Sequence, residues 1–193
     1  MTYSDVPAIN AAYALIAQLA EPENPEDARL GDMMIIASAL AALGEDRSWA
    51  SIWWAYGALH YDMSDDALDR AFELLGRVDH PTDAQAAALM LRAEVKYAQA
   101  AYADKDPSPI EQCALLDQAV SLAPDWPVLR FRLARASAAV GDEPTARRHA
   151  AEALALLASG ATQDPFDSAI TGRNLNPAYV RRELAALGLA DPT

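Results

Sequence analysis

Residues 115–127 read LLDQAVSLAPDWP, and this stretch decides the fold. Its first eight residues have apolar side chains at helical spacing, Ala-Pro-Asp then interrupts the pattern, and the pattern restarts at Trp126. Proline lacks the backbone N–H that a helix interior requires, so the first helix must end before Pro124. The stretch therefore predicts two helices that are joined by a short turn and lie antiparallel.

The composition extends this prediction to the whole chain. Of the 193 residues, 52% are hydrophobic and only 7% are aromatic, and much of the apolar fraction is alanine and leucine. These two residues lose little side-chain freedom in a helix, and runs of β-branched residues are absent. The sequence predicts an all-α protein with enough apolar content for one domain.

Capping residues and helix breakers divide the chain into about nine helices. Ser64, Ser108 and Asp142 are expected N-caps, Thr82 with Gln85 a capping box, and Asp125 the cap of the next helix. The predicted helices span about residues 6–19, 25–44, 47–61, 65–78, 82–103, 109–123, 126–141, 143–160 and 177–187.

A weak repeat runs through the helical pattern. At a spacing of 34 residues, Ala119 corresponds to Ala153 and Leu122 to Leu156. Small residues recur in the helix pair that starts at Arg130, and an earlier segment reads Trp53-x-x-Tyr56-Gly57-x-x-His60 with a proline 28 residues after Trp53. The small residues and turn of the later pair are Ala134, Gly141-Asp142, Ala146 and Ala153.

These positions resemble the tetratricopeptide repeat (TPR) family, whose unit is a 34-residue helix-turn-helix. The later pair departs from the family pattern because Arg130, Ser137 and Ala150 replace aromatic residues. The resemblance implies a right-handed stack of antiparallel helix hairpins, a TPR-like α-solenoid of about nine helices. It implies one domain over residues 1–193, with divergent helices in 1–46, TPR-like units in 47–158 and a capping region in 159–193.

The resemblance also implies a function, since TPR-like stacks bind peptides or proteins in a concave groove. The sequence therefore predicts a non-enzymatic protein-interaction module in which the first helix of each hairpin lines the groove. Two alternatives stay open: a chaperone dedicated to secretion substrates, and a scaffold that assembles with itself into a homo-oligomer. A helical enzyme is less favoured.

Charge and cysteine content exclude several kinds of partner. The net charge is −13, and residues 1–80 carry 14 acidic side chains against 4 basic ones. Such a surface repels nucleic-acid phosphates and anionic lipid, so neither is an expected partner. Cys113 is the only cysteine, which rules out an internal disulfide. The N-terminal residues lack a basic leader and no apolar run spans a membrane, so a cytoplasmic location is expected.

The candidate binding residues lie on the helix after Pro124. Trp126, Leu129, Leu133, Ala136 and Val140 form one apolar stripe that should face the core. Val128, Phe131 and Arg135 form a second stripe, which the resemblance places in the groove. Arg132 and Arg135 are expected to bind an acidic peptide or a terminal carboxylate over Phe131, because a guanidinium can donate two parallel hydrogen bonds. The alternative is a solvated face whose arginines pair with acids elsewhere.

Three further candidates lie earlier in the chain. Trp53 matches the packing tryptophan of the family, whereas Trp54 would line the groove or a dimer contact. Lys96 and Tyr97 of the fifth helix are groove candidates of the same kind. For all of them core packing is the competing interpretation.

The chain lacks the motifs of catalysis and of cofactor binding. His60, His80 and His149 are far apart and match no metal-ligand spacing, and no glycine-rich phosphate loop occurs. The cluster Asp62, Asp65 and Asp66 lacks the glycine and the distal glutamate of a calcium loop, and helix capping explains it better. The sequence thus predicts no enzyme, no metal and no cofactor.

Overall fold

The computed structural model of the chain describes residues 7–20, 29–43, 47–79, 81–103, 108–160 and 177–190. Within these ranges every regular element is a helix, which confirms the all-α prediction. The helices are α1 (Pro7–Ala20), α2 (Leu30–Leu43), α3 (Arg47–Gly57), α4 (Asp65–Leu75), α5 (Thr82–Tyr102), α6 (Pro109–Leu122), α7 (Pro127–Ala139), α8 (Glu143–Ala158) and α9 (Pro177–Ala186).

The chain divides into two compact units, residues 1–107 and 108–193. In unit 1 each helix from α1 to α5 packs against the next, and α3 also contacts α5. In unit 2, α6 packs on α7, α7 on α8, and α8 on α9. The boundary between the units falls inside the 47–158 segment that the resemblance treats as continuous, and the single TPR-like domain stays a prediction.

The predicted N-caps of α4, α6 and α8 are confirmed, because in each the side chain accepts a hydrogen bond from a nearby backbone N–H. Ser64 accepts from the N–H of Ala67, and the caps of α6 and α8 do the same. The expected caps at Thr82 and Asp125 are wrong, because α5 already begins at Thr82 and α7 begins at Pro127 with Trp126 as its cap. The fixed φ of proline suits the first helical position, and Pro127 therefore sets the start of α7.

Helix α3 forms the centre of unit 1. Trp49, Ile52 and Trp53 are almost completely buried. The ring of Trp53 meets that of Tyr56 edge to face at 5.9 Å, and Tyr56 lies 4.5 Å from the ring of His60. The residues of the Trp53-x-x-Tyr56-x-x-x-His60 pattern therefore share one face and touch, as helical spacing requires.

Gly57 allows α2 and α3 to approach closely. A Cβ atom at this position would lie 2.3 Å from Cγ of Met34 and 2.8 Å from Cε of Met33. Directly after Gly57 the helix widens into one π-helical turn over Ala58–Asp62, which the sequence did not predict. Met63 closes this turn in the left-handed conformation, with φ 48°.

The α4–α5 pair is antiparallel, as four side-chain contacts of α5 show. Gln99 donates to Asp69 at 2.7 Å, and the cations of Arg92 and Lys96 lie over the ring of Phe72. The hydroxyl of Tyr102, at the end of α5, lies 3.1 Å from the sulfur of Met63. Residues near the start of α4 therefore lie beside the end of α5, and later residues of α4 lie beside earlier residues of α5.

The α7–α8 hairpin of unit 2 is packed through small residues. Ala134, Ala146 and Ala153, which occupy the small positions of the repeat pattern, are fully buried. Gly141 makes the turn between the helices with φ 78°, a conformation that glycine adopts without strain. The helices therefore pack closely at these positions, whereas the TPR-like repeat and its right-handed stacking order stay predictions.

Candidate protein-binding site

Four side chains of α7 and α9 form a continuous strip in unit 2. The ring of Phe131 meets the ring of Tyr179 edge to face, with 6.3 Å between centroids. The guanidinium carbon of Arg135 lies 5.7 Å from the centroid of Phe131, and that of Arg182 lies 5.3 Å from the centroid of Tyr179. We call Arg135, Phe131, Tyr179 and Arg182 the cation–aromatic strip.

The four side chains of the strip differ in their exposure to solvent. Phe131 is only 5% exposed, and Val128 of the same stripe is fully buried. Arg135 and Arg182 are exposed, and Tyr179 is half-buried. A partner at this place would therefore touch Tyr179 and the arginines, whereas the sequence predicted Phe131 as the floor.

Both apolar stripes of α7 are buried over most of their length. Trp126, Leu129 and Leu133 of the expected core stripe are at most slightly exposed, and so are Val128 and Phe131 of the expected groove stripe. At Phe131 this second stripe is met by Tyr179 of α9. The sequence could not indicate this layer, since an amphipathic pattern does not say which helix it packs on.

The arginines of residues 126–150 have different surroundings. Arg147 is paired with Glu143 of its own helix at 2.6 Å, and Arg148 contacts His149. Arg132 is half-buried, and Arg135 is exposed and stacked on Phe131. Of the two predicted carboxylate-binding arginines, Arg135 has the more accessible guanidinium.

The candidates of unit 1 lie in two separate contacts. Trp54 is half-buried, and the guanidinium carbon of Arg70 lies 5.1 Å from its ring centroid. Lys96 places its ammonium 4.5 Å from the ring centroid of Phe72, beside Arg92. Tyr97 is exposed. All three residues belong to unit 1, and their binding roles stay predictions.

A polar network that the sequence did not indicate holds α7 to α8. Arg130 forms an ion pair with Glu152 at 2.8 Å and donates to the carbonyl of Pro124 at 3.1 Å. His149, which is 3% exposed, has its Nδ1 atom 3.1 Å from both Glu152 and Arg130. Its Nε2 atom lies 3.2 Å from Arg148. Arg130, at the position of the family's tryptophan, thus connects the turn before α7 with the middle of α8.

The surroundings of His149 favour its neutral form. Burial lowers the pKa of His149 below its ordinary value, the positive charges of Arg130 and Arg148 lower it further, and Glu152 partly opposes them. When the neutral ring carries its proton on Nδ1, the Nδ1–H group can donate a hydrogen bond to Glu152, and Nε2 can accept one from Arg148. Protonation would place a third cation between two arginines.

We therefore expect the stability of unit 2 to fall as the pH decreases below about 6.5. The unfolded chain protonates His149 at its ordinary pKa of 6.5, whereas the folded chain resists protonation until its lower pKa is reached. The loss is at most about 1.4 kcal/mol per pH unit and ends once the folded form is also protonated. Urea unfolding at several values between about pH 7.5 and pH 5.5 measures this slope.

Two variants separate His149 from other titrating groups. His149→Gln should flatten the slope, and Arg148→Gln should weaken it because one repelling cation is gone. Arg147→Gln is the matched control, since Arg147 faces Glu143. A wild-type slope in His149→Gln would refute this assignment.

The comparisons with known proteins find nothing that matches. No protein-family model, no curated protein and no solved structure is significantly similar to this chain. None of the helices in the described ranges combines the length and apolar content needed to cross a bilayer. The same ranges hold no group of three or more histidine, cysteine or carboxylate side chains suited to a metal ion.

Two members of the strip, Tyr179 and Arg182, were missed as site residues. Tyr179 and Arg182 lie three residues apart on α9. A tyrosine and an arginine at this spacing lie on one helix face, which is a signal for stacking. The neighbouring helix that completes the strip cannot be derived from this spacing.

Proposed function

We propose that the chain is a non-enzymatic, TPR-like protein-interaction module of the cytoplasm that binds the C-terminal carboxylate of a partner at the cation–aromatic strip. The arginines at the two ends of the strip supply the charge, and Tyr179 supplies the apolar contact. The observation that supports the proposal is the cation–aromatic strip itself, in which Arg135 contacts Phe131, Phe131 contacts Tyr179, and Tyr179 contacts Arg182.

The strip suits binding because each of its arginines already contacts a ring in the unliganded chain. An arginine stacked on a ring keeps its N–H edges in the plane of the guanidinium, where they can donate to a carboxylate. Less side-chain freedom is then lost on binding, and more of the contact energy contributes to affinity. The packing of α3 on α4 and of α7 on α8, and the contact of α3 with α5, support the TPR-like arrangement.

The net charge favours a single carboxylate over a strongly acidic peptide. The chain carries −13, so a ligand with many carboxylates is repelled over long distances. Residues 108–193 carry 10 acidic and 8 basic side chains, so unit 2 is close to neutral. A terminal carboxylate with an apolar last side chain therefore fits the strip best.

Affinity selection with random synthetic hexapeptides tests the proposal. One library ends in free carboxylates and its twin ends in amides; both are incubated with the immobilised chain, and retained peptides are identified by mass spectrometry. We expect retention only from the carboxylate library. The double variant Arg135→Glu/Arg182→Glu should weaken binding of a selected peptide at least tenfold, about 1.4 kcal/mol, because it removes two cationic donors.

A charge-matched variant guards against a general electrostatic effect. Arg77→Glu/Arg147→Glu makes the same change in net charge at two exposed arginines, which pair with the nearby Glu73 and Glu143. This control should bind the selected peptide as the wild type does. Equal retention of the amide library, or an equal loss in the control, would rule out carboxylate recognition at the strip.

A further inference from the structure

Unit 1 has an exposed surface whose chemistry is opposite to that of the strip. Tyr61 is 64% exposed, Met63 39% and Tyr102 53%. The hydroxyl of Tyr102 lies 3.1 Å from the sulfur of Met63, which places the end of α5 beside the turn before α4. Asp62, Asp65 and Asp66 are also exposed and lie within five residues of Tyr61 along the chain. We call Tyr61, Met63, Tyr102 and these three aspartates the tyrosine–aspartate corner.

We infer that the tyrosine–aspartate corner binds a cationic segment of a partner protein. Lysine and arginine have aliphatic stems that can pack on the tyrosine rings and on the polarizable sulfur of Met63. Their charged ends can then reach the three carboxylates, and a cation over a tyrosine face adds electrostatic attraction. This site is independent of the carboxylate-binding proposal, because all its residues lie in unit 1.

Contacts between cations and aromatic rings elsewhere in the chain support this inference. Arg70, Arg92, Lys96 and Arg135 each lie over a ring of Trp54, Phe72 or Phe131. Within the described ranges no cation of the chain lies over Tyr61 or Tyr102, and Asp62, Asp65 and Asp66 form no ion pair there. The corner thus has both halves of a cation site, rings and carboxylates, and the described part of unit 1 supplies no cation to it.

Charge complementarity favours a foreign cationic segment over a second copy of the chain. Residues 1–107 carry 18 acidic and 7 basic side chains, a net charge of −11. A second copy brings a net charge of −13 and is repelled on approach. A basic segment is attracted over the same distance, and its association should weaken as salt is added.

The backbone at Met63 is consistent with a side chain that has a role. Met63 adopts φ 48° and ψ 15°, which favours glycine or asparagine over methionine by about 1 kcal/mol. Its N–H closes the π-helical turn by bonding to the carbonyl of Ala58 at 2.8 Å. The turn thereby holds the methionine side chain at the surface, next to Tyr102.

The test uses a labelled peptide of lysine and leucine with one tryptophan, together with a twin in which glutamate replaces lysine. Fluorescence polarization with the full chain should show binding of the lysine peptide and none of its twin. Tyr61→Ser/Tyr102→Ser should weaken binding about tenfold, since the stacking surface is lost while every charge stays. Asp65→Asn/Asp66→Asn should weaken it as well and reduce the salt dependence.

The matched control is Glu73→Gln/Asp83→Asn, which removes two exposed charges elsewhere in unit 1. It should change the affinity much less than the aspartate variant of the corner. Unchanged affinity in the tyrosine variant, or equal losses in the two charge variants, would overturn the inference, as would absence of binding by the wild type. The methyl NMR signal of Met63, assigned with Met63→Leu, should shift during the titration even if a variant folds poorly.

Sedimentation of the unliganded chain tests whether a second copy of the chain, instead of a cationic partner, occupies the corner. We expect a monomer whose mass does not depend on Tyr61 or Tyr102. A dimer that the tyrosine variant dissociates would assign the corner to a second copy and would overturn the cationic partner. Failure of the corner would leave the strip of unit 2 untouched, and the hexapeptide selection reports on that strip separately.

Discussion

Replacement of Trp53 by alanine should lower the free energy of unfolding of unit 1 by about 4 kcal/mol. The indole is completely buried in the middle of α3 and meets the ring of Tyr56 edge to face. Truncation removes one of the two buried indoles of α3 and leaves a cavity that a tightly packed helix pair fills only in part. A loss of this size is a large fraction of the stability of an ordinary domain.

The neighbouring tryptophan provides the control for this experiment. Trp54 is half-buried and stacks with Arg70, so Trp54→Ala should cost about 1 kcal/mol. Urea unfolding followed by far-UV circular dichroism compares both variants with the wild type. Similar losses for the two variants would contradict the assignment of Trp53 to the core and of Trp54 to its margin.

Replacement of Gly57 by alanine should destabilise unit 1 by about 2–3 kcal/mol. The added methyl group would overlap Cγ of Met34 at 2.3 Å, and a Cγ atom cannot move away without a shift of the α2 backbone or a new rotamer. The gain in helix propensity from glycine to alanine is about 1 kcal/mol and is too small to offset the overlap. The α2–α3 contact should therefore open or distort.

Gly76→Ala is the matched control for this substitution. A Cβ atom at Gly76 would lie 3.4 Å from the nearest backbone oxygens, an ordinary contact, and its φ of −68° suits alanine. This variant should be neutral or slightly more stable, because alanine has fewer unfolded conformations to lose. Thermal unfolding of both variants gives the comparison. A neutral Gly57→Ala would show that α2 and α3 are not held at this distance.

The sequence predicts the elements of this fold better than their assembly. Helix type and the caps at Ser64 and Asp142 depend on residues within one turn, so local reasoning finds them. The π-helical turn after Gly57 was missed because composition and periodicity carry no signal for one widened turn. Pro127 did carry a signal, and reading it as the first helical residue would have excluded Asp125 as the cap.

The candidate site shows the same division between local and long-range information. Arg135 and Phe131 are one turn apart on α7, and their pairing could be predicted from spacing. The cover that Tyr179 gives to Phe131 joins residues 48 positions apart, and the contact of Arg130 with Glu152 joins two helices. Single-sequence patterns do not encode such contacts, because many partners of similar chemistry are available along the chain.

The position of α9 limits how helix pairs could be added to unit 2. Tyr179 already occupies the ring face of Phe131, so another hairpin that seeks this face must first expel a bound aromatic neighbour. End-to-end polymerisation of copies through α7 therefore meets a competitor that is tethered to the same chain and present at high local concentration. We therefore expect α9 to disfavour open-ended growth of copies through α7.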